Sequence, residues 1–242
     1  MKRIKFLALA ALLAFNSGAY AQFTNTASST SSSSVNTDGW NSFWIEWNPS
    51  TISSDTQGQG GNDSGSSSKS LSFTAFSAGL SRAFSLTQGA SLFLEAGGGV
   101  QYSFASDFPE KGTDFNMLSV KVPLSLIYLL DIPNSSLSLM PYAGIDLRFN
   151  ILGKFKYGGG DVSGSDYYSD EYVSGSNSGS VNLFDKKEMG EPWNRFQIGW
   201  HVGLKARLGQ SFMLGASYGM DFSEICEKTH INTVTVSLGF AF

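Results

Sequence analysis

One cysteine in 242 residues, Cys226, leaves no partner for an internal disulfide, so an oxidising compartment is compatible with this chain but plays no part in stabilising it. Proline is scarce too, at six, and only 15% of the residues are charged. The formal net charge of −4 is mixed in sign. No Lys/Arg surface is clustered enough to match a nucleic-acid backbone, which excludes nucleic acid as a partner. No long stretch repeats apolar residues at i, i+3, i+4 and i+7, so helices are not the main element. The longest apolar run, Phe6 to Phe15, falls short of the ~20 residues a spanning helix needs.

That run belongs to a secretory signal peptide. Lys2, Arg3 and Lys5 form its charged region, and Ala19-Tyr20-Ala21 a small-residue cleavage site before Gln22. Cleavage removes residues 1–21 and leaves about 221. Gln at position 22, where a lipid anchor would require Cys, argues against lipidation. Residues 22–39 are rich in Ser and Thr, with too few apolar groups to offset the entropy of ordering, and are expected to be a disordered tail.

What fills the remainder, residues 40–242, is alternation. The ending VTVSLGFAF places Val234, Val236, Leu238, Phe240 and Phe242 on one side of an extended chain. Eight such segments follow one another: Trp40 to Asn48, Leu71 to Leu86, Ala90 to Phe104, Phe115 to Leu130, Leu137 to Leu152, Asn194 to Leu208, Ser211 to Phe222 and Ile231 to Phe242. Most are far longer than the ~5–6 residues usual in soluble proteins, and long enough for the ~9–11 that cross hydrocarbon at a tilt.

The connections alternate as well. Thr87 to Gly89, Asp131 to Ser136 and Gly209-Gln210 are short, whereas Pro49 to Ser70, Ala105 to Asp114, Gly153 to Trp193 and Ser223 to His230 are longer. Short periplasmic turns and long extracellular loops are the habit of outer-membrane barrels. With both termini in the periplasm, every long loop falls outside the cell. The expected fold is an all-β, eight-stranded antiparallel transmembrane barrel in the outer membrane of a Gram-negative bacterium.

The row opposite the apolar one carries Glu46, Glu95, Gln101, Lys121, Asp146, Arg148, Arg195, Gln197, His201, Lys205, Arg207 and Asp221. In lipid these residues line a lumen and the apolar rows meet hydrocarbon. Aromatic residues fit that inversion, with Phe84, Tyr128, Phe212 and Phe242 near one rim and Trp47, Phe104, Phe149 and Phe222 near the other.

The final strand resembles the terminal signal of outer-membrane barrels, whose last residue is typically Phe. That resemblance implies recognition of Val234, Val236, Leu238, Phe240 and Phe242 by the barrel-assembly machinery. More closely, LSVKVPLSLIYLLDIPNSSLSLMPYAGIDLRF, FQIGWHVGLKARL and FMLGASYGMDF resemble the small outer-membrane barrel domain of Bacteroidetes, the PorT-like group. The resemblance extends over roughly Leu71 to Phe242 and brings no catalytic motif with it.

Chemistry is correspondingly sparse. An eight-stranded barrel is only wide enough for side chains, so Glu46, Glu95, Lys121, Asp146, Arg148, Arg195, His201, Lys205, Arg207 and Asp221 read as a charge-paired filling that plugs the lumen. A proton relay or a binding site is the alternative. Glu224, Cys226, Glu227 and His230 match no zinc spacing, Asp161 to Glu171 lacks the EF-hand pattern, and GGNDSGSSSKS lacks the glycine and helix of a phosphate loop. Ser223, His230 and Glu227 match no hydrolase order. No cofactor, metal or catalysis is expected.

Three residues resist the pattern. Pro123 and Pro141 each remove a ladder donor, so a bulge or a lumen group is expected at each. Arg82 falls on an apolar row, where it must snorkel to a rim. Tyr157, Tyr167, Tyr168 and Tyr172, with Phe155, Phe184 and Trp193, sit amid Gly, Ser and Asp in the third loop, a composition suited to recognition. The function expected is non-enzymatic: a rigid barrel presenting loops for adhesion, recognition or envelope structure. A small porin-like channel, a secreted lipocalin-like carrier and a lipid-modifying enzyme are the alternatives.

Overall fold

The computed structural model describes residues 39–54, 70–86, 91–107, 112–157, 179–189, 192–226 and 229–242, all within the unit Asn36–Phe242. The signal peptide, the Ser/Thr-rich tail up to Asp38, the turn Thr87 to Gly89, Glu227 and the tyrosines at 167, 168 and 172 lie outside the described residues.

The described residues form strands β1 (Trp40–Ser54), β2 (Ser70–Ser85), β3 (Leu92–Ala105), β4 (Thr113–Tyr128), β5 (Leu130–Asp131), β6 (Leu137–Tyr157), β7 (Gly179–Asn182), β8 (Phe196–Leu208), β9 (Phe212–Asp221) and β10 (Thr229–Ala241), and among them one short helix, α1 (Lys186–Met189). Pairing runs antiparallel around a closed ring, β1-β2-β3-β4-β6-β8-β9-β10 and back to β1. β5 only prolongs β4 beside β6, and β7 is added to the upper edge of β6. Eight staves therefore make the barrel. Closure is sealed by reciprocal bonds, Asn41 N–H to the Phe242 carbonyl at 3.1 Å and Phe242 N–H to the Asn41 carbonyl at 2.9 Å. Among the described barrel strands no ladder edge is then left to hydrocarbon, which could not satisfy it.

The two faces are inverted relative to a soluble barrel. Phe43, Ile45, Trp47, Phe76, Val100, Phe149, Val202, Leu214 and Val236 stand exposed outside, while Glu95, Lys121, Arg148, Gln197, His201 and Asp221 are buried inside. Both girdles read from the sequence are present on the outside, Phe84, Tyr128, Phe212 and Phe242 at the turn end and Trp47, Phe104, Phe149 and Phe222 at the loop end. A lipocalin-like carrier needs the opposite arrangement, an apolar interior. Among the described residues no helix is long and apolar enough to cross a membrane, and the strands alone supply the apolar belt.

Several boundaries move. β1 runs through Pro49, which pairs with Thr74, so the first loop begins later than its composition suggests. β6 extends through Gly153 to Tyr157, and β7 and α1 add structure within the third loop. Neither Pro123 nor Pro141 carries a bulge. The β3–β4 ladder lapses between Ala96↔Leu124 and Gly99↔Lys121, opposite Pro123, and resumes in the same register. The β4–β6 ladder stops at Ile127↔Tyr142 and resumes only at Leu130↔Leu139 of β5, so Pro141 falls in the gap. Each proline thus sits where a donor is already dispensable. The register shift lies instead between Leu118 and Ser119, with Ile151 as the extra residue.

Candidate functional site: a lumen filled in three layers

The inward rows change character along their length. On β4 the inward residues Phe115 and Met117 give way to Ser119, Lys121 and Ser125, and then to Ile127. On β1 Trp40 lies at the turn end, Ser42, Glu46 and Asn48 follow, and Ile52 reaches the loop end. Phe73 and Ile231 continue the apolar loop end on β2 and β10, and Phe93 and Met140 the turn end on β3 and β6, whereas the inward row of β8 stays polar to both ends, Gln197 and Arg207; the middle is polar between two mostly apolar plugs.

Ion pairs organise the middle. Lys121 Nζ lies 2.9 Å from Glu46 Oε2 and 3.7 Å from Asp146 Oδ1. Ser77 Oγ donates to the same Glu46 oxygen at 2.8 Å. Asp146 Oδ2 is 2.9 Å from His201 Nδ1, and His201 Nε2 is 2.8 Å from Ser125 Oγ. A neutral imidazole meets both by donating at Nδ1 and accepting at Nε2. Lys205 Nζ donates to Glu95 Oε2 at 2.5 Å, and Ser81 Oγ donates to Glu95 Oε1 at 2.8 Å. Arg148 donates to both oxygens of Asp221. Aromatic faces complete the cations' surroundings, with Lys121 over Trp44 at 5.9 Å and Lys205 over Tyr142 at 4.8 Å.

The lumen cavities bordered by the described residues are small. A cavity of about 50 Å³ is bordered by Trp44, Glu95, Asp146, His201 and Lys205, and another of about 30 Å³ by Arg148, Gly199 and Asp221. Each has room for a few waters at most. Trp44 and Asp146, whose Nε1 and Oδ1 find no hydrogen-bond partner among the described residues, border the larger one.

At the loop end the plug is built from Ile52, Phe73, Phe115, Met117, Leu183, Ile225 and Ile231, with Phe155, Phe184, Met189 and Trp193 packed against it. The segment after β7 supplies the lid. Leu183 N–H donates to the Gly153 carbonyl at 3.1 Å, and Trp193 N–H to the Leu183 carbonyl at 2.8 Å. At the turn end Trp40, Phe93, Ile127, Met140 and Met213 are buried together, with Trp40 and Phe93 ring centroids 4.8 Å apart.

Two members of the expected charge network stand apart from it. Arg195 is exposed at the loop end, where its Nη1 donates to the Asn150 and Ile151 carbonyls at 3.3 and 3.1 Å and its guanidinium lies 4.3 Å from the Phe184 ring. It precedes the first residue of β8, so strand parity does not govern it. Arg207 lies at the turn end, bonded to the Gln210 carbonyl and 5.0 Å from the Trp40 ring. Phe184 and Trp193 belong to the plug rather than to a contact surface, because each finds apolar partners there. Tyr157 is exposed at the tip of β6, against Gly179.

The remaining candidates are scattered. Cys226 packs against the loop-end plug, and Ser223 Oγ accepts from the Ile198 N–H at 2.9 Å. Among the described residues, no three His, Cys, Asp or Glu side chains converge. Val234, Val236, Leu238, Phe240 and Phe242 all stand on the outer face of the closing strand and its end.

Sequence could have disclosed the plugs. Their signal is apolar residues on the polar parity at strand ends: Trp40, Phe93, Ile127 and Met140 at one, Ile52, Phe73 and Phe115 at the other.

No family model matches the chain, and no curated protein does either; the narrower PorT-like resemblance therefore gains no support. Solved structures similar to it include Ail, the attachment invasion locus protein of Yersinia pestis, at 14% identity and TM-score 0.44, covering 85% of this chain and 99% of that one. Neisserial surface protein A stands at 16% identity and TM-score 0.39, covering 83% of this chain and 97% of that one. The N-terminal β-barrel domain of Pseudomonas aeruginosa OprF stands at 16% and 0.35, covering 84% and 99%. The class rests on the chain's own geometry: closed strand order, inverted faces and a filled interior define a small eight-stranded transmembrane β-barrel.

Proposed function

We propose that this chain is a non-enzymatic outer-membrane protein whose barrel is a closed pedestal and whose working surface is its loops. The filled lumen carries the reading. With ion pairs in the middle and apolar plugs at both ends, little space is left for a solute path. What can meet a partner is then the surface beyond the loop-end girdle. There β4, β6 and β7 rise past the apolar belt, and β6 and β7 flank the Tyr-, Gly- and Ser-rich residues 158–178. Tyr and small polar residues give contact area at low entropic cost. Both termini face the periplasm, and the closing strand carries the signal read by the assembly machinery. The partner is a protein outside the cell or in the envelope.

Deletion of residues 158–178 spares β6 and β7, and so is expected to leave heat-modifiable mobility and outer-membrane fractionation intact. Crosslinking pull-down from intact cells is expected to lose the partners of the full-length chain. Partners retained in full would make the loop a spacer and overturn the assignment.

A further inference from the structure

The apolar belt is interrupted in one place by a charge. Among the described residues, Arg82 is the one charged side chain on the outward rows between the two girdles; Asp114, Lys154 and Lys156 lie beyond the loop-end girdle. Arg82 makes no ion pair among the described residues, and its guanidinium carbon lies 5.3 Å from the Phe84 ring centroid. Asn41 and Ala96 flank it across the ladder, which puts it one outward position inside the turn-end girdle. A cation at that depth needs an anion that hydrocarbon cannot supply but a headgroup can.

Above Arg82 on the same strand lies a groove. It has a volume of about 470 Å³, is walled by Ile45, Trp47, Phe76, Val100 and Leu238, and is floored by Ala78. Leu80 pairs with Gly98 between the two, so on the β3 side no side chain blocks the way down. Four residues of strand separate Arg82 from Ala78, about 13 Å. At the ~35–45° tilt of barrel strands that is about 9–11 Å along the membrane normal, inside the ~15 Å of hydrocarbon in one leaflet, half of the ~30 Å core.

We propose that this face holds one phospholipid of the leaflet at the turn end, its phosphate on Arg82 and one acyl chain in the groove over Ala78. The proposal rests on the membrane reading above. Charge complementarity selects the headgroup, and the groove's position inside the belt, with almost wholly apolar walls, selects an acyl chain as occupant. Guanidinium and phosphate form charge-assisted hydrogen bonds that an ammonium reproduces less well.

The test is native mass spectrometry of the mature chain released from mild detergent after incubation with phosphatidylglycerol. Wild type is expected to retain one lipid. Arg82→Gln is expected to lower the retained fraction about tenfold, the scale of a lost charge-assisted contact, and Ala78→Phe, which fills the groove, to lower it as well. Arg82→Lys keeps part of the binding. Equal retention by wild type and Arg82→Gln overturns the headgroup contact. Retention unchanged in Ala78→Phe overturns the acyl seat, and efficient disulfide crosslinking of Ala78→Cys between copies makes a second chain the occupant. Heat-modifiable mobility, run on every variant, separates these outcomes from failure of the barrel to form in a membrane.

Discussion

Asp221 and Arg148 illustrate what a buried ion pair does in so narrow a lumen. Both side chains are more than nine-tenths buried, and each is the other's charge partner. Removing one leaves the other unneutralised away from water, which costs about 3–5 kcal/mol. Asp221→Ala is therefore expected to lower stability by that order in urea unfolding followed by tryptophan fluorescence in detergent micelles. The double variant Arg148→Met, Asp221→Leu is expected to recover most of the loss, because two apolar groups of similar volume leave no orphan charge. A single variant as stable as wild type would contradict the pairing. At this scale the sequence was partly legible: strand parity put Glu46, Glu95, Lys121, Asp146, Arg148, His201, Lys205 and Asp221 on one face, but who pairs with whom depends on register between strands far apart in the chain. Glu95 and Lys205, for instance, are 110 residues apart.

The glycines of β2 and β3 act at the scale of the element. A Cβ on Gly79 would stand 2.4 Å from the Trp44 ring and one on Gly99 2.7 Å from it, so this pair makes room for an indole laid across the inside of β1 to β3. Gly99→Val is expected to expel Trp44 from its place, slow folding into micelles and destabilise the barrel by at least ~1–3 kcal/mol, the usual cost of overpacking. Near-ultraviolet circular dichroism reports the lost Trp44 environment directly; an unchanged spectrum with unchanged stability would refute the close approach. The strands themselves were readable because a period of two is a local pattern that survives without its neighbours. β7 and α1 were not. Leu183, Phe184 and Trp193 lie in a Gly- and Ser-rich stretch with no periodicity, and only the open mouth beneath them, lined by Phe115 and Ile225, gives them somewhere to pack. Read alone, Phe184 and Trp193 resembled contact residues.

For the whole molecule, the architecture resolves one conflict. Eight strands cannot enclose a wide channel, so the interior must be filled; hydrocarbon outside demands that apolar side chains face out. The outcome is a cylinder whose polar groups are hidden among ion pairs and whose ends are stopped by apolar residues. On the proposed reading, the loops make the contacts and the barrel holds them at the membrane surface. Single-channel current recording on the refolded mature chain in a planar lipid bilayer tests this most directly. A lumen closed by Trp40 and Phe93 at one end and Phe115, Leu183 and Trp193 at the other predicts no steady current above the bare bilayer. Stable, long-lived openings that scale with salt concentration would contradict it, and would make the chain a small channel.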